Sequence, residues 1–182
     1  MRCFIALDLP VEIIKEIKKI QKELPEFIGK KTESENLHLT LKFLGEVSKE
    51  KIEQIKRVLR EIKFDAFETE IDSIGTFSEK AVRIIWLHLI NCNQLQKEID
   101  DSLKSLFKPE ERFMSHLTIA RVKNVKNSPR DDSAEPKKEF LEKLKKIKIP
   151  KINFMVENFK LKSSMLKSEG PVYEDIETYN LE

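Results

Sequence analysis

Cysteine is scarce: Cys3 and Cys92 are the only two in 182 residues. Two thiols cannot make a disulfide framework or a multi-cysteine zinc site. Both sit in apolar surroundings and read as buried thiols, which fits a reducing, cytoplasmic compartment. No apolar stretch approaches the roughly 18 residues that suggest a membrane span. Asp8 interrupts the apolar start too early for a signal peptide. Neither G-x-x-x-x-G-K-[ST] nor G-x-G-x-x-G occurs, and the chain holds four glycines in all. Apparatus for ATP-dependent ligation or phosphoryl transfer is therefore not visible. No serine has the context of a nucleophile elbow. An excess of one charge is also missing: 34 Lys and Arg against 32 Asp and Glu leave a net charge of +2. That balance does not argue for a dedicated DNA-binding protein, although it leaves room for a local basic groove.

What is present is the composition of a globular protein, 40% hydrophobic and 36% charged. A chain of this length buries roughly 70% of its unfolded surface and needs no disulfide or metal staple. We expect residues 1–182 to form a single bilobal domain.

Periodicity sets out the elements. Residues 2–7 form a short apolar strand, followed by Pro10, which suits the first turn of a helix. Ile13, Ile17, Ile20 and Leu24 make its stripe, and Pro25 and Gly29 punctuate its end. In residues 37–43, Leu37, Leu39, Leu41 and Phe43 fall on one face of a strand, and His38, Thr40 and Lys42 on the other. Ser48 caps a second helix with the stripe Ile52, Ile55, Leu59, Ile62. Residues 67–77 and 81–90 read as strands joined by a hairpin at Ser78-Glu79-Lys80. Asn93 and Gln96 fit a capping box that opens a third helix. Residues 113–122 are a strand, 124–136 a polar loop, and 137–148 a short fourth helix. Residues 152–161 and 172–181 close the chain as strands. The order β-α-β-α-β-β-α-β-α-β-β favours an α+β fold with largely antiparallel sheets.

Two of the three histidines open the same tripeptide, His38-Leu39-Thr40 and His116-Leu117-Thr118, 78 residues apart. Each copy sits in a strand between two helices, the mark of a duplicated β-α-β-α unit. Residues i and i+2 of a strand share a face about 6.7 Å apart. His38 projects with Thr40, therefore, and His116 with Thr118. If the halves pack about a pseudo-twofold axis, two imidazoles and two hydroxyls converge on one cleft. A phosphate fits between them. The hydroxyls can donate to its non-bridging oxygens. One imidazole takes a proton from water and the other gives one to the leaving oxygen. Histidine suits both roles because its ordinary pKa is near 6.5. Two His and two Thr lack the carboxylates or thiolates expected of a zinc or paired-magnesium site, so no metal and no cofactor is expected.

With these motifs the chain resembles the 2H phosphoesterase superfamily, whose signature is two H-x-T-x motifs. It is similar in particular to the RNA 2′,3′-cyclic phosphodiesterases, formerly called 2′-5′ RNA ligases. The resemblance covers Met1-Arg2-Cys3-Phe4-Ile5-Ala6-Leu7 and Glu35-Asn36-Leu37-His38-Leu39-Thr40-Leu41-Lys42-Phe43-Leu44-Gly45-Glu46-Val47. It continues through Ile74-Gly75-Thr76-Phe77, Arg83-Ile84-Ile85-Trp86 and His116-Leu117-Thr118-Ile119-Ala120-Arg121. Ser115 departs from the proline usual before the second histidine. The resemblance implies two lobes around a central cleft and metal-independent hydrolysis of a 2′,3′-cyclic phosphate to a 2′-phosphomonoester. It implies His38 as the acid that protonates the departing 3′ oxygen and His116 as the base. Thr40 and Thr118 would hold the phosphate, and Phe43 and Arg121 would lie near the nucleotide.

Phe43 and Arg121 both lie five residues after their histidines. An odd offset points away from the cleft in a regular strand, so they reach the site only past a strand end or bulge. The implied partner is an RNA carrying a 2′,3′-cyclic end, such as a tRNA fragment, and the implied state a monomer. RNA ligation through the same histidines is the alternative enzyme, although water at bulk concentration favours hydrolysis. A non-catalytic RNA-end binding module is the alternative from another class. His88 alternates with Trp86 and Ile90 in an apolar strand and reads as structural. Arg121, Lys123, Lys126 and Arg130 make a basic run after the second motif.

Overall fold

The computed structural model describes residues 1–125, 134–168 and 170–182. The strands are β1 (Arg2–Asp8), β2 (Phe27–Lys31), β3 (His38–Glu46), β4 (Phe67–Thr76), β5 (Ile84–Leu89), β6 (His116–Val125), β7 (Ile152–Val156), β8 (Asn158–Lys167) and β9 (Gly170–Asn180). The helices are α1 (Val11–Glu23), α2 (Lys49–Arg60), α3 (Asn93–Leu103) and α4 (Ala134–Lys146). Every pairing between these strands is antiparallel. The fold is α+β.

The strand order is β7-β4-β5-β6-β3-β1-β8-β9, with β2 added on β6. At the centre, β3 meets β6 through one residue pair, Leu39 opposite Leu117. One lobe lies on each side of that pair. In one, β1-α1 leads to β3 and then α2; in the other, β5-α3 leads to β6 and then α4. The duplication in the sequence is thus a duplication in space, about a pseudo-twofold axis at the Leu39–Leu117 pair.

The helices form because each carries a stripe that must leave water. Ile13, Ile17 and Ile20 of α1, Ile52, Ile55 and Leu59 of α2, Leu95, Ile99 and Leu103 of α3, and Phe140, Leu141 and Leu144 of α4 are all buried. They join Leu39, Leu41, Leu117 and Ile119 in one continuous core. Each such side chain contributes about 1.5–3 kcal/mol through burial. Ser48 caps α2 by accepting a hydrogen bond from the Lys51 N–H at 3.3 Å, worth about 1 kcal/mol. The capping box expected at α3 does not form. Cys92 stands at the N-cap and its side chain does not cap the helix, while Gln96 donates to Asp100 one turn on, at 2.8 Å. The helix begins one residue earlier than the box requires, with Cys92 in place of Asn93 at the N-cap, so Gln96 is the fourth helical residue and not the third.

Three further expectations are corrected. The stretch after Pro25 is a strand, β2, with Lys30 opposite Arg121. Gly29 allows it, because a Cβ there would collide with the Arg121 carbonyl. The expected strand 152–161 is two strands parted at Glu157, since β7 pairs with β4 in one lobe and β8 with β1 in the other. The link between β4 and β5 is longer than the hairpin read at Ser78-Glu79-Lys80, as β5 starts at Ile84.

Candidate active site

Both motif strands show the same order of burial. Leu39 and Leu41 are buried, as are Leu117 and Ile119, whereas His38, Thr40, His116 and Thr118 are half-buried on the opposite face. Antiparallel pairing at Leu39–Leu117 sets His38 on the Thr118 side and Thr40 on the His116 side. The four motif residues share one surface at the meeting of the lobes.

The alternation then breaks at the same place in each strand. In β3, Ala6 pairs with Thr40 and Ile5 with Lys42, leaving Leu41 over. In β6, Trp86 pairs with Thr118 and Ile85 with Ala120, leaving Ile119 over. Each extra residue is a bulge that reverses which way the following side chains point. Phe43, read in the alternation with the core leucines, is 68% exposed. Lys42, read beside His38 and Thr40, is 4% exposed. Arg121 is likewise turned outward. The odd-offset pair Phe43 and Arg121 therefore lies on the histidine face. The Phe4 ring lies 5.0 Å from the His38 ring and 6.4 Å from that of Phe43.

The two bulges are held differently. The buried Lys42 ammonium donates to the Asp100 carboxylate and, at 2.9 Å, to the Lys108 carbonyl. Asp100 also accepts from Gln96 and from the Glu110 N–H at 2.7 Å. Burial alone would raise the Asp100 pKa, but the Lys42 ammonium and these donors hold it low. At the second bulge Ala120 needs no partner, and Gln21 donates to the Ile119 carbonyl at 2.8 Å and to the Thr32 carbonyl at 2.9 Å.

Both motif imidazoles are tethered alike. His38 Nδ1 lies 2.9 Å from the Asn36 carbonyl, and His116 Nδ1 lies 2.8 Å from the Met114 carbonyl. A carbonyl can only accept, so each Nδ1 carries the proton and each Nε2 is left for chemistry.

Their surroundings differ. His38 stands against Phe4 and the edge of Tyr173, each 5.0 Å between ring centres. Asp8 is its partner on β1. Asp8 and Asp175 form a ring of ion pairs with Lys160 and Lys162, at 2.6–2.8 Å. Burial pushes the His38 pKa down to about 4; the Asn36 carbonyl opposes this and Lys162 adds to it. With only the protein's groups around it, His38 is neutral at pH 7. His116 meets the Phe77 ring edge-on at 4.8 Å, and Phe77 lies 5.9 Å from Trp86. Trp86 covers Gly75, where a Cβ would lie 2.5 Å from the indole. His88 is opposite His116 on β5, with its Nδ1 2.8 Å from Asp72.

Sequence reasoning missed several of these walls. Phe77 stood in the Ile74-Gly75-Thr76-Phe77 segment with no reason to single it out. Tyr173 and Lys162 come from β9 and β8 and carry no local signal. His88, read as structural, lies on the histidine face. Ser115, in place of proline, is buried, and its carbonyl accepts from the Leu89 N–H at 3.1 Å, so the strand entry is kept. Lys123 is exposed on β6; Lys126 and Arg130 lie outside the described residues. Among the described residues no group of three His, Cys, Asp or Glu is placed to hold a metal ion. No described helix is long and apolar enough to cross a membrane.

The antiparallel α+β frame thus carries two symmetry-related His-x-Thr strands at its centre. The LigT-like phosphoesterase family model matches residues 7–86 and 90–173. The RNA 2′,3′-cyclic phosphodiesterase of Methanocaldococcus jannaschii is 37% identical, covering 98% of this chain and 100% of that one. Its namesake in Escherichia coli is 31% identical over 66% of this chain and 71% of its own. Among solved structures, a Thermus thermophilus protein matches with TM-score 0.79 at 25% identity, covering 99% of this chain and 97% of that one. The E. coli LigT complex with 3′-AMP matches with TM-score 0.75 at 25% identity and the same coverage. The chain belongs to the LigT-like phosphoesterase family, within the 2H superfamily.

Proposed function

We propose that this protein hydrolyses the 2′,3′-cyclic phosphate end of RNA to a 2′-phosphomonoester, without a metal. The observation that carries the reading is the pair of Nδ1-tethered imidazoles, His38 and His116, which offer Nε2 from matched positions on β3 and β6. The relatives named RNA 2′,3′-cyclic phosphodiesterase support the substrate class, and the 3′-AMP complex of E. coli LigT supports a nucleotide ligand.

In this reading His116 Nε2 takes a proton from water as the water oxygen attacks phosphorus. The bond from phosphorus to the 3′ oxygen breaks, and His38 Nε2 gives that oxygen a proton. Thr40 and Thr118 donate to the non-bridging oxygens. Phe43 and Arg121 contact the nucleotide. Because burial keeps His38 neutral, its proton must come with the anion: a phosphate beside the ring favours the imidazolium. Aromatic walls at Phe4 and Tyr173 keep water away from that ring and strengthen the effect.

The test is turnover of a 2′,3′-cyclic-ended oligoribonucleotide in EDTA, with analysis of the product end. The expected product is the 2′-phosphomonoester. His38→Ala and His116→Ala should each lower kcat by roughly 10²–10⁴-fold, the usual worth of an acid or base. Binding without turnover by the unaltered protein would make it an RNA-end binding module instead.

A further inference from the structure

We propose that His88, held by Asp72, positions the attacking water beside His116. The proposal rests on the phosphodiesterase reading above and assigns a role to the third histidine, which that mechanism leaves unused.

His88 and His116 are directly opposite on β5 and β6. The Leu89 N–H donates to the Ser115 carbonyl at 3.1 Å. That bond marks His88–His116 as a non-hydrogen-bonded pair, the kind in which Cα atoms come within about 4.5 Å and side chains lie closest. The two side chains therefore leave one face of the sheet from neighbouring strands. His88 is 31% exposed, open to water but not loose.

Its orientation is set from the other side. Ile71 pairs with Leu89 and Ser73 with His88, so Asp72 is the extra residue of a bulge in β4. That bulge brings Asp72 Oδ1 to 2.8 Å from His88 Nδ1, and the Ser73 hydroxyl donates to the same oxygen at 2.9 Å. A carboxylate accepts, so Nδ1 carries the hydrogen. The two nitrogens of an imidazole point in nearly opposite directions. With Nδ1 turned to β4, Nε2 lies on the His116 side, and in the neutral ring it presents a lone pair.

The pseudo-twofold axis shows what is special here. The residue that stands to His38 as His88 stands to His116 is Asp8. Asp8 is engaged by Lys160 and Lys162. The lobes are matched in their catalytic imidazoles and differ in the neighbour of each. The reaction has the same asymmetry. The departing 3′ oxygen needs one proton, from His38. Attacking water has two hydrogens and must be aimed. In the step inferred here, one hydrogen passes to His116 Nε2 while the other stays on oxygen and donates to His88 Nε2. The water lone pair then faces phosphorus, and the retained hydrogen ends on the product phosphate.

Competition between nucleophiles tests this. Methanol has one transferable hydrogen, which His116 takes, and nothing to offer His88. A 2′,3′-cyclic-ended oligoribonucleotide is turned over in water–methanol mixtures, and the ratio of methyl diester to phosphomonoester is measured. His88→Leu should raise that ratio roughly tenfold, the scale of a misplaced reactant, by slowing hydrolysis more than methanolysis. His88→Gln, whose amide oxygen can accept, should restore most of the wild-type ratio. If His88→Leu does not fold, Asp72→Ala carries the same expectation, since it frees the ring. A loss of both reactions at an unchanged ratio would overturn the proposal and leave the phosphodiesterase reading standing. No turnover by the unaltered protein would overturn both.

Discussion

Leu39 lies directly opposite Leu117, and this pair joins β3 to β6 and so one lobe to the other. Both side chains are fully buried, while the residues on either side of each, His38 with Thr40 and His116 with Thr118, turn to the opposite face. Apolar packing thus lies directly underneath the two imidazoles, beside the β2–β6 pairing that also ties the halves together.

Truncating one member of the pair tests whether the imidazoles depend on that packing. Leu117→Ala should cost about 2–5 kcal/mol of stability, the range for emptying a packed leucine site. It should also lower kcat/KM at temperatures where the variant is still folded. Denaturant unfolding and steady-state kinetics on the same sample check both. Unaltered kinetics in a folded variant would show that the imidazole spacing is held elsewhere.

Lys42 and Asp100 make a buried ion pair under the first bulge. Lys42→Met should destabilise by about 3–5 kcal/mol, because it strands a buried carboxylate. Adding Asp100→Leu should recover much of that loss, since a well-packed apolar pair can replace a buried ion pair. Thermal unfolding of the two variants gives the comparison, and a double variant as unstable as the single one would contradict it.

The His38 shift has a consequence for stability, with a definite sign. An unfolded histidine titrates near 6.5, and His38 in the fold at about 4. Between those values the unfolded chain binds a proton that the folded chain refuses, so the protein loses stability as pH falls through that window. The contribution is at most about 3 kcal/mol. His38→Phe should flatten this part of the profile, measured as urea stability at pH 7 and pH 4.5. An identical pH response in wild type and variant would show that His38 protonates freely in the fold.

The same shift predicts proton uptake. Phosphate binding at pH 6 should draw a proton onto the protein, visible as a dependence of the calorimetric heat on the ionisation enthalpy of the buffer. Binding with no proton taken up would remove His38 as the acid of the proposed reaction.

Substrate size offers a further check. Lys123 is exposed on β6 two residues beyond Arg121, where flanking phosphates could meet it and release counterions. An oligoribonucleotide with a 2′,3′-cyclic end should have a higher kcat/KM than a cyclic mononucleotide. The preference should shrink as salt rises, and Lys123→Ala should reduce it. Equal kcat/KM for both substrates at low salt would contradict the expectation.

The helix stripes, the alternating β3 strand and the two His-Leu-Thr copies were legible in the sequence, because each depends on spacing within one segment. The class of fold followed from their order, and the four motif residues from the repeat. What a segment pairs with is not a property of that segment. Leu41 and Ile119 became bulges through their registers with β1 and β5, and those bulges alone turned Phe43 outward and Lys42 into the core. In residues 152–161 the core-facing positions switch from Ile152, Phe154 and Val156 to Phe159 and Leu161, a change of phase at Glu157 where neighbours in different lobes divide the stretch. Tyr173 reaches His38 from β9, and His88 reaches the side of His116 across a strand pair. Local periodicity determined which residues could carry chemistry. Long-range register decided which of them meet, because an antiparallel pair aligns residues by hydrogen bonding between strands and not by their distance along the chain.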